Sequence, residues 1–174
     1  AAFVVLAALD VAKQFAKQPL VEVAGCGQAG DTLTAASKKS LTTLAATVGA
    51  AREAYKMAGV KPTDIDLAEV HDCFTITQIL NIEDLGFFEK GKGVRAVLAG
   101  KTARDGQIPI NVSGGLKAKG HPIGATGLSQ IFEIVTQLRG AAGGRQVKGA
   151  RIGLTHNLGG TAATCLVSIF KGVQ

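Results

Sequence analysis

Short apolar segments alternate with amphipathic helical patterns along this chain, and that alternation limits the folds it can adopt. After an apolar run over residues 2–8, strands are predicted at 20–25, 66–70, 108–115, 150–157 and 162–171. Helices are predicted at 10–17, from HDCF to about residue 85, and at 40–57 and 122–138. The glycine-punctuated segment 86–107 is predicted to be a loop. Helical crossovers require parallel strands, and the tight LGGT turn requires that the last strand, 162–171, be an antiparallel strand at the edge of the sheet. The sequence therefore predicts an α/β fold with a mixed five-stranded sheet, β-α-β-α-β-α-β-β, covered by helices.

The first apolar run, AAFVVLAAL, is typical of a buried strand in the interior of a protein. The chain also lacks an initiator Met. From these two features we expect an N-terminal truncation and a first strand, at residues 2–8, that belongs to a neighbouring layer.

Composition argues against several classes of partner. The net charge of +6 comes from 19 Lys and Arg spread along the chain, without the interleaved aromatic residues that stack on bases, so no nucleic acid is expected. No apolar stretch reaches the roughly 18 residues of a membrane span, so no membrane is expected either. One group of basic residues forms either a solvated face or a site for an anion: Lys90, Lys92, Arg95, Lys101 and Arg104. The three cysteines form no CxxC pair, which fits a reducing cytoplasm.

The segment GCGQAG, residues 25–30, matches the GxGxxG dinucleotide fingerprint and follows a predicted strand. The residues after it open no immediate helix, and no acidic residue stands about 20 positions later to hold a ribose. We therefore predict a flexible turn here and no nucleotide site.

The three histidines all lie near the ends of predicted strands, in EVHDCF (His71), KGHPIG (His121) and THNLGG (His156). In parallel α/β sheets the carboxyl ends of the strands meet at one crevice, so residues far apart in sequence can share a site. A histidine in such a place is otherwise a packing or hydrogen-bonding residue. The common placement predicts that the three side chains gather around one cavity.

The chemistry suited to these residues is acyl transfer. His121 is predicted at the start of a helix, where the positive potential favours a neutral ring that can accept a proton. Cys73 lies two residues after His71 at another predicted helix start, and the same potential stabilises its thiolate. Zinc bound by three histidines is the competing interpretation, but no HxH or HxxxH pair is present, and no metal is expected.

Three segments resemble motifs of thiolases, the enzymes that condense or cleave acyl-CoA thioesters. NVSGGLKAKGHPIGATG (residues 111–127) is similar to their GHPxGxTG signature, EVHDCF stands where most carry an NEAF-type motif, and THNLGG where most carry a CxGGG-type motif. HDCF together with HNLGG resembles the variant of sterol-carrier-protein type thiolases and archaeal acetyl-CoA acetyltransferases. The resemblance implies a thiolase C-terminal domain at residues 19–174, with 1–18 a remnant of the N-terminal half.

The resemblance also implies roles for individual residues. His121 would deprotonate a nucleophilic cysteine and then donate a hydrogen bond to a thioester oxygen, with His71 completing that oxyanion hole. Cys73 would shuttle the proton at the substrate α carbon, with His156 as the alternative. Two further sets are implied: backbone amides of a second oxyanion hole at Asn157, Leu158 and Gly159, and substrate contacts at Phe74, Gly115 and Gly120.

The implied substrate is a short 3-ketoacyl-CoA such as acetoacetyl-CoA, with coenzyme A as a substrate and no cofactor. Thiolases carry the nucleophile in the N-terminal half, and neither Cys26 nor Cys165 has a matching context here. We therefore expect the chain to be inactive alone, to pair with a missing N-terminal half and to form a homo-oligomer. The alternative function is a non-catalytic thiolase-like scaffold subunit that binds a partner enzyme or a lipid carrier.

Overall fold

The computed structural model describes residues 2–173 and contains one mixed sheet of four strands in the order β1-β4-β3-β2. The strands are β1 (Val21–Gly30), β2 (Leu67–Val70), β3 (Ile152–Gly159) and β4 (Thr164–Gly172). β2 runs parallel to β3, and both other pairs are antiparallel. The helices are α1 (Leu9–Phe15), α2 (Ala45–Ala58), α3 (Thr75–Asp84), α4 (Gly93–Leu98), α5 (Gly115–Lys119) and α6 (Thr126–Leu138). The predicted α/β class and mixed sheet are confirmed.

Helices cover both faces of the sheet, and the apolar side chains divide accordingly into two cores. The larger core joins the alanine face of α2 to alternate strand residues, among them Leu154, Val167 and Ile169. The smaller core joins Ile134 of α6 to Leu67 and Phe170. Alternate residues of a strand point to opposite faces, so the parity of a residue along β3 decides which helix its side chain meets.

The glycines of GCGQAG serve strand–helix packing. The predicted flexible turn is wrong, because the whole segment lies within β1. A Cβ at Gly25 would collide with the carbonyl oxygen of Ala54, and one at Gly27 with that of Ala50. Small residues on both elements therefore let α2 approach the strand closely, as glycine does where two backbones meet.

The predicted fifth strand, residues 108–115, reduces to a single parallel bridge between Ile110 and Ala68. Pro109 has no N–H to donate to a ladder, and Asn111 adopts a left-handed backbone (φ 53°) that turns the chain away from the sheet. The side chain of Asn111 then takes the place of a strand, because its Oδ1 accepts the Val70 N–H at 2.7 Å. The five-stranded prediction is wrong for this physical reason.

Three other predicted elements differ from the structure. Residues 2–8 form no strand, and within residues 2–173 no strand lies beside them, so most of their apolar side chains remain exposed. The predicted loop at 86–107 contains α4. The predicted antiparallel edge strand, β4, is central because β1 pairs with its other side. Among the described residues, no helix has both the length and the apolar character needed to cross a bilayer.

Candidate active site

The candidate site lies where the parallel strands β2 and β3 end together. Val70 pairs with His156, so the residues that follow them, His71 and Asn157, lie next to each other at the same sheet edge. The backbone N–H of His71 also donates to Nδ1 of His156 at 3.4 Å. Two motifs separated by more than 80 residues therefore meet through strand register.

His71 and His121 form an edge-to-face pair of imidazoles. Their ring centroids lie 4.9 Å apart, with 84° between the planes. His71 is 4% exposed, and its Nδ1 lies 2.7 Å from Oδ1 of Asn157. Burial lowers the pKa of His71, an effect that the Asn157 hydrogen bond opposes and the neighbouring His121 reinforces. His71 is therefore a neutral ring near pH 7.

The ring of His156 lies on the opposite face of the sheet and does not join this pair. It is fully buried, and its Nε2 lies 3.0 Å from Oγ1 of Thr47 in α2. Burial lowers the pKa of His156 to about 3. The structure thus brings together two of the three predicted rings, and the neighbouring residue, Asn157, faces them in place of His156. Sequence reasoning missed this because parity along β3 decides the face.

The loop that carries His121 is anchored by the buried carboxylate of Asp72. Its Oδ1 accepts the Leu116 N–H at 2.7 Å at the start of α5. Gly115 has a left-handed backbone (φ 61°), and a Cβ there would collide with the same carboxylate. Gly115, predicted as a substrate contact, is therefore buried against Asp72, whereas Gly120 is exposed in the loop itself.

His121 precedes α6 by five residues, because the helix begins at Thr126. The helix predicted to start at Pro122 is wrong in its first turn, so His121 lies outside the helix end. Its ring is held by Thr126, whose Oγ1 lies 2.7 Å from Nδ1 of His121. This contact occupies Nδ1 and leaves Nε2 as the nitrogen available to a substrate.

Cys73 and Phe74 lie just before α3, which begins at Thr75. The Cys73 thiol is partly exposed, with Sγ 3.9 Å from Oγ1 of Thr77, and its carbonyl oxygen accepts from Nζ of Lys117 at 2.9 Å. Phe74 is 68% exposed, and Lys117 Nζ lies 5.8 Å from its ring centroid. Both residues are thus open to a ligand on the side of α5.

The THNLGG motif supplies backbone groups at an open edge of the sheet. β3 continues to Gly159, three residues beyond its last pairing with β2 at His156. Successive amides of a strand point to alternate edges, so part of the 157–159 backbone faces an edge where β2 has ended. Leu158 and Gly159 pair on the other side with Cys165 and Thr164. This geometry suits amide donors at the site.

Two buried amides fix the backbone of the histidine positions. Nδ2 of Asn81 donates to the carbonyl oxygen of His71 at 2.8 Å, and Nε2 of Gln130 donates to that of His156 at 3.0 Å. Sequence reasoning missed both residues. Each is an ordinary polar residue in a helical pattern, and no signal in the sequence distinguishes it from a solvated one.

A buried carboxylate lies beneath the same loop. Glu69 is 1% exposed and accepts hydrogen bonds from the backbone N–H and the hydroxyl of Ser113, and Lys119 Nζ lies 3.7 Å from its Oε2. Burial raises the pKa of Glu69, although the Ser113 hydrogen bonds and Lys119 oppose the shift.

The raised pKa of Glu69 makes stability depend on pH. Because the folded carboxyl holds its proton to a higher pH than the unfolded one (pKa about 4.3), its contribution to stability falls as pH rises above that value. We expect Glu69→Gln to gain stability relative to the wild type between about pH 4.5 and 7. Urea unfolding across this range measures the difference. A variant that is less stable by the same amount at every pH would contradict the expectation.

An open cleft of about 450 Å³ adjoins the His121 loop and is lined by Ala2, Phe3, Pro122, Ile123, Gly124 and Ala125. Ile123 is 87% exposed, so the rim of the site is apolar.

Within residues 2–173 no group of three His, Cys, Asp or Glu side chains is arranged to hold a metal. Of the basic residues considered as an anion site, Lys90 pairs with Asp84 (2.5 Å) and Arg104 with Asp105 (3.0 Å).

Comparison with protein families gives a match to the model described as "Thiolase C-terminal domain-like" over residues 27–172. The "Acetyl-CoA acetyltransferase" of Methanothermobacter thermautotrophicus is 55% identical over 171 residues, which cover 98% of this chain and 44% of the relative. The protein of the same name from Methanocaldococcus jannaschii is 40% identical over 180 residues, covering 98% and 45%. "Sterol carrier protein 2" of Homo sapiens is 48% identical over 122 residues, covering 70% and 22%.

Among solved structures, one titled "Ltp2-ChsH2(DUF35) aldolase" matches with a TM-score of 0.79 over 91% of this chain and 41% of that chain. Its sequence identity of 23% supports a likeness of fold only. The chain spans less than half the length of the curated relatives named above.

Proposed function

Because this chain belongs to the thiolase C-terminal domain-like family, we propose that it is the C-terminal half of an acyl-CoA acyltransferase. The reaction is the formation or cleavage of a short 3-ketoacyl-CoA such as acetoacetyl-CoA, with coenzyme A as a substrate. The names of the two archaeal relatives support acetyl transfer. The location of the protein in the cytoplasm remains a prediction.

The observation that carries this proposal is the His71–His121 pair, with ring centroids 4.9 Å apart at the end of the parallel strands. A thiol brought to Nε2 of His121 would give its proton to that nitrogen, and the thiolate would attack the thioester carbon. The resulting imidazolium then donates from Nε2 to the thioester oxygen. When the acyl group has transferred to the attacking sulfur, the departing coenzyme A thiolate recovers the proton.

For the second half of the reaction we propose Cys73 as the shuttle for the α-carbon proton. Its thiol is partly exposed beside α5, whereas the alternative, His156, is fully buried on the other face of the sheet. The open amides of residues 157–159 are proposed to stabilise the oxygen of the acyl-enzyme.

The attacking thiol is proposed to come from outside the sequence of this chain. Cys165 is buried in the larger core, where burial raises its pKa to about 12, so it is a protonated structural thiol. Cys26 lies in β1, two strands away from β3, which carries His156, and three strands away from β2, which precedes His71. Its Sγ lies 3.6 Å from the hydroxyl of Ser168. Neither faces the imidazole pair. An N-terminal thiolase half, in the same polypeptide or as a partner, would supply the nucleophile.

Apolar side chains near the cleft indicate where that half would bind. Phe3, Val5 and Leu6 are at least 77% exposed, and Ile123 beside the site is equally open. Burial of such side chains is the main driving force of stable association. Pairing with a second copy of the chain is proposed as well. A monomer at micromolar concentration in analytical ultracentrifugation of the chain alone would contradict the pairing with a second copy.

The second candidate function is a non-catalytic scaffold that binds a partner enzyme or a lipid carrier. Relatives named "Sterol carrier protein 2" and "Non-specific lipid-transfer protein-like 2" favour it, since their names refer to a sterol carrier and to lipid transfer. The site residues serve the first candidate better, because a scaffold has no use for two paired imidazoles at an open cleft.

Complementation separates the two functions. The chain is co-expressed with the N-terminal half of the Methanothermobacter thermautotrophicus relative, which is 55% identical in the matched region. Coenzyme A-dependent cleavage of acetoacetyl-CoA by the purified pair, and by neither half alone, is the expected result. A stable pair without cleavage or condensation activity would favour the scaffold.

A further inference from the structure

Asn157 occupies a position between the imidazole of His71 and the first turn of α6. Its side chain points to the α6 face of the sheet, opposite to the ring of His156, and its Oδ1 lies 2.7 Å from Nδ1 of His71. The space for it is provided by Gly127, where a Cβ would lie 2.8 Å from Nδ2 of Asn157. The last glycine of the GHPIGATG segment is therefore a packing requirement of the Asn157 amide.

This contact determines which nitrogen of His71 carries the proton. A carboxamide oxygen only accepts hydrogen bonds, so Nδ1 of His71 must be the donor. A neutral imidazole has one N–H, and its proton is then at Nδ1. Nε2 of His71 is consequently unprotonated in the resting protein and carries a lone pair.

We propose that Asn157 is a positioning residue that fixes His71 as the Nδ1–H tautomer and makes it a proton acceptor in the resting site. The inference rests on the proposed function for its role in the reaction, and it refines the part assigned to His71. A neutral His71 in this tautomer cannot donate from Nε2 to a thioester oxygen. It donates there only after it has received a proton.

The two imidazoles, His71 and His121, share a single proton during the proposed reaction. One proton enters when the nucleophilic thiol ionises, and it resides on Nε2 of His71 or of His121. With ring centroids 4.9 Å apart, a second positive charge is disfavoured by repulsion. The other ionisable groups facing His71 are Asp72, already bonded to the backbone of α5, and His156, buried and neutral. In each step the imidazole that holds this proton donates from Nε2, and the other imidazole keeps an unprotonated Nε2.

The test is a ¹⁵N-histidine NMR spectrum of the complete protein containing this chain, with the His71 signals assigned by their loss in His71→Asn. We expect a protonated Nδ1 and an unprotonated Nε2 for His71 near neutral pH. In Asn157→Leu, which has no acceptor, the Nε2–H tautomer should become populated. A wild-type His71 protonated at Nε2, or an unchanged tautomer in Asn157→Leu, would overturn the proposal.

Kinetics of the same variants provide a second measurement. Asn157→Leu should lower kcat about 10- to 100-fold, as loss of an orienting partner does at other sites, with little change in KM. Asn157→Asp keeps an acceptor and adds a charge that favours the imidazolium, so it should keep the tautomer and move the acid limb of the kcat profile to higher pH. An acid limb that does not move would argue against the contact.

Gly127→Ala is the control for folding. Alanine is the better helix former, yet its methyl group would displace the Asn157 amide, so we expect a stable protein with a reduced kcat. Unreduced activity in Gly127→Ala would show that the amide position is unimportant. The expected tautomer in a protein without thiolase activity would refute the proposed function and leave the role of Asn157 intact.

Discussion

Replacing His121 by alanine is expected to lower kcat for acetoacetyl-CoA cleavage by about 10³-fold in the complete enzyme. In the proposed mechanism His121 is both the base that takes the thiol proton and the donor that then stabilises the thioester oxygen, and each role is worth a large factor. The ring lies in an exposed loop, so its loss creates no cavity in either core. The unfolding midpoint should therefore hardly change.

Thr126→Val is a milder variant that tests the orientation of the same ring. It keeps the imidazole but removes the hydroxyl that lies 2.7 Å from its Nδ1. We expect a loss of about 10-fold, since the ring keeps its chemistry and loses its orientation. Full activity in His121→Ala would end the assignment of His121 as the base, whatever the effect at position 126.

The second large effect concerns stability at His156. His156→Ala leaves a cavity in the larger core and removes the partner of Thr47 and of the His71 N–H, so it should cost about 3–5 kcal/mol. The sign of the pH effect follows from the lowered pKa. The unfolded ring takes up a proton below about pH 6.5, whereas the folded ring stays neutral down to about pH 3.

The contribution of His156 is therefore present above about pH 6.5 and is lost as pH falls toward 3, with a slope of at most about 1.4 kcal/mol per pH unit. Glu69 contributes with the opposite sign, so the comparison must be made against His156→Gln, which cannot ionise in this range. Urea unfolding at pH 7 and pH 5 measures the two slopes. Equal slopes in the wild type and His156→Gln would mean that another group is responsible.

The sequence predicts that the EVHDCF and THNLGG motifs meet, because parallel strands bring the residues that follow them to one edge of the sheet. It does not predict which side chain of the third motif faces the site. His156 and Asn157 are adjacent in β3, so their side chains point to opposite faces of the sheet, one into the larger core and the other toward the site. That choice depends on the register with β2, where Val70 pairs with His156. No periodicity in THNLGG reveals this register.

The supporting residues were hidden for a different reason. Asn81 and Gln130 lie in helices whose patterns look amphipathic, and only their contacts with strand carbonyls give them a role. Asn111 ends a predicted strand because its own side chain replaces the ladder. Gly25 and Gly27 resemble a phosphate loop in sequence, but close contact with α2 explains both. Such tertiary effects override local pattern.

The strand predicted at residues 2–8 is a further error with the same origin. Its apolar composition indicates burial, but a strand also needs a hydrogen-bonding neighbour. Within residues 2–173 no strand lies next to this segment. Apolar composition thus predicts that a segment is buried, whereas its secondary structure also depends on the presence of a neighbouring strand.

The proposed function requires that the face carrying His71, His121 and Asn157 receives an acyl-CoA thioester. A crystal structure of the complete enzyme with a bound non-hydrolysable acetoacetyl-CoA analogue would test this. We expect the reacting carbonyl oxygen within hydrogen-bond distance of Nε2 of His121, with the acyl chain in the cleft beside Pro122–Ala125. An analogue bound on the α2 face, or far from both imidazoles, would contradict it.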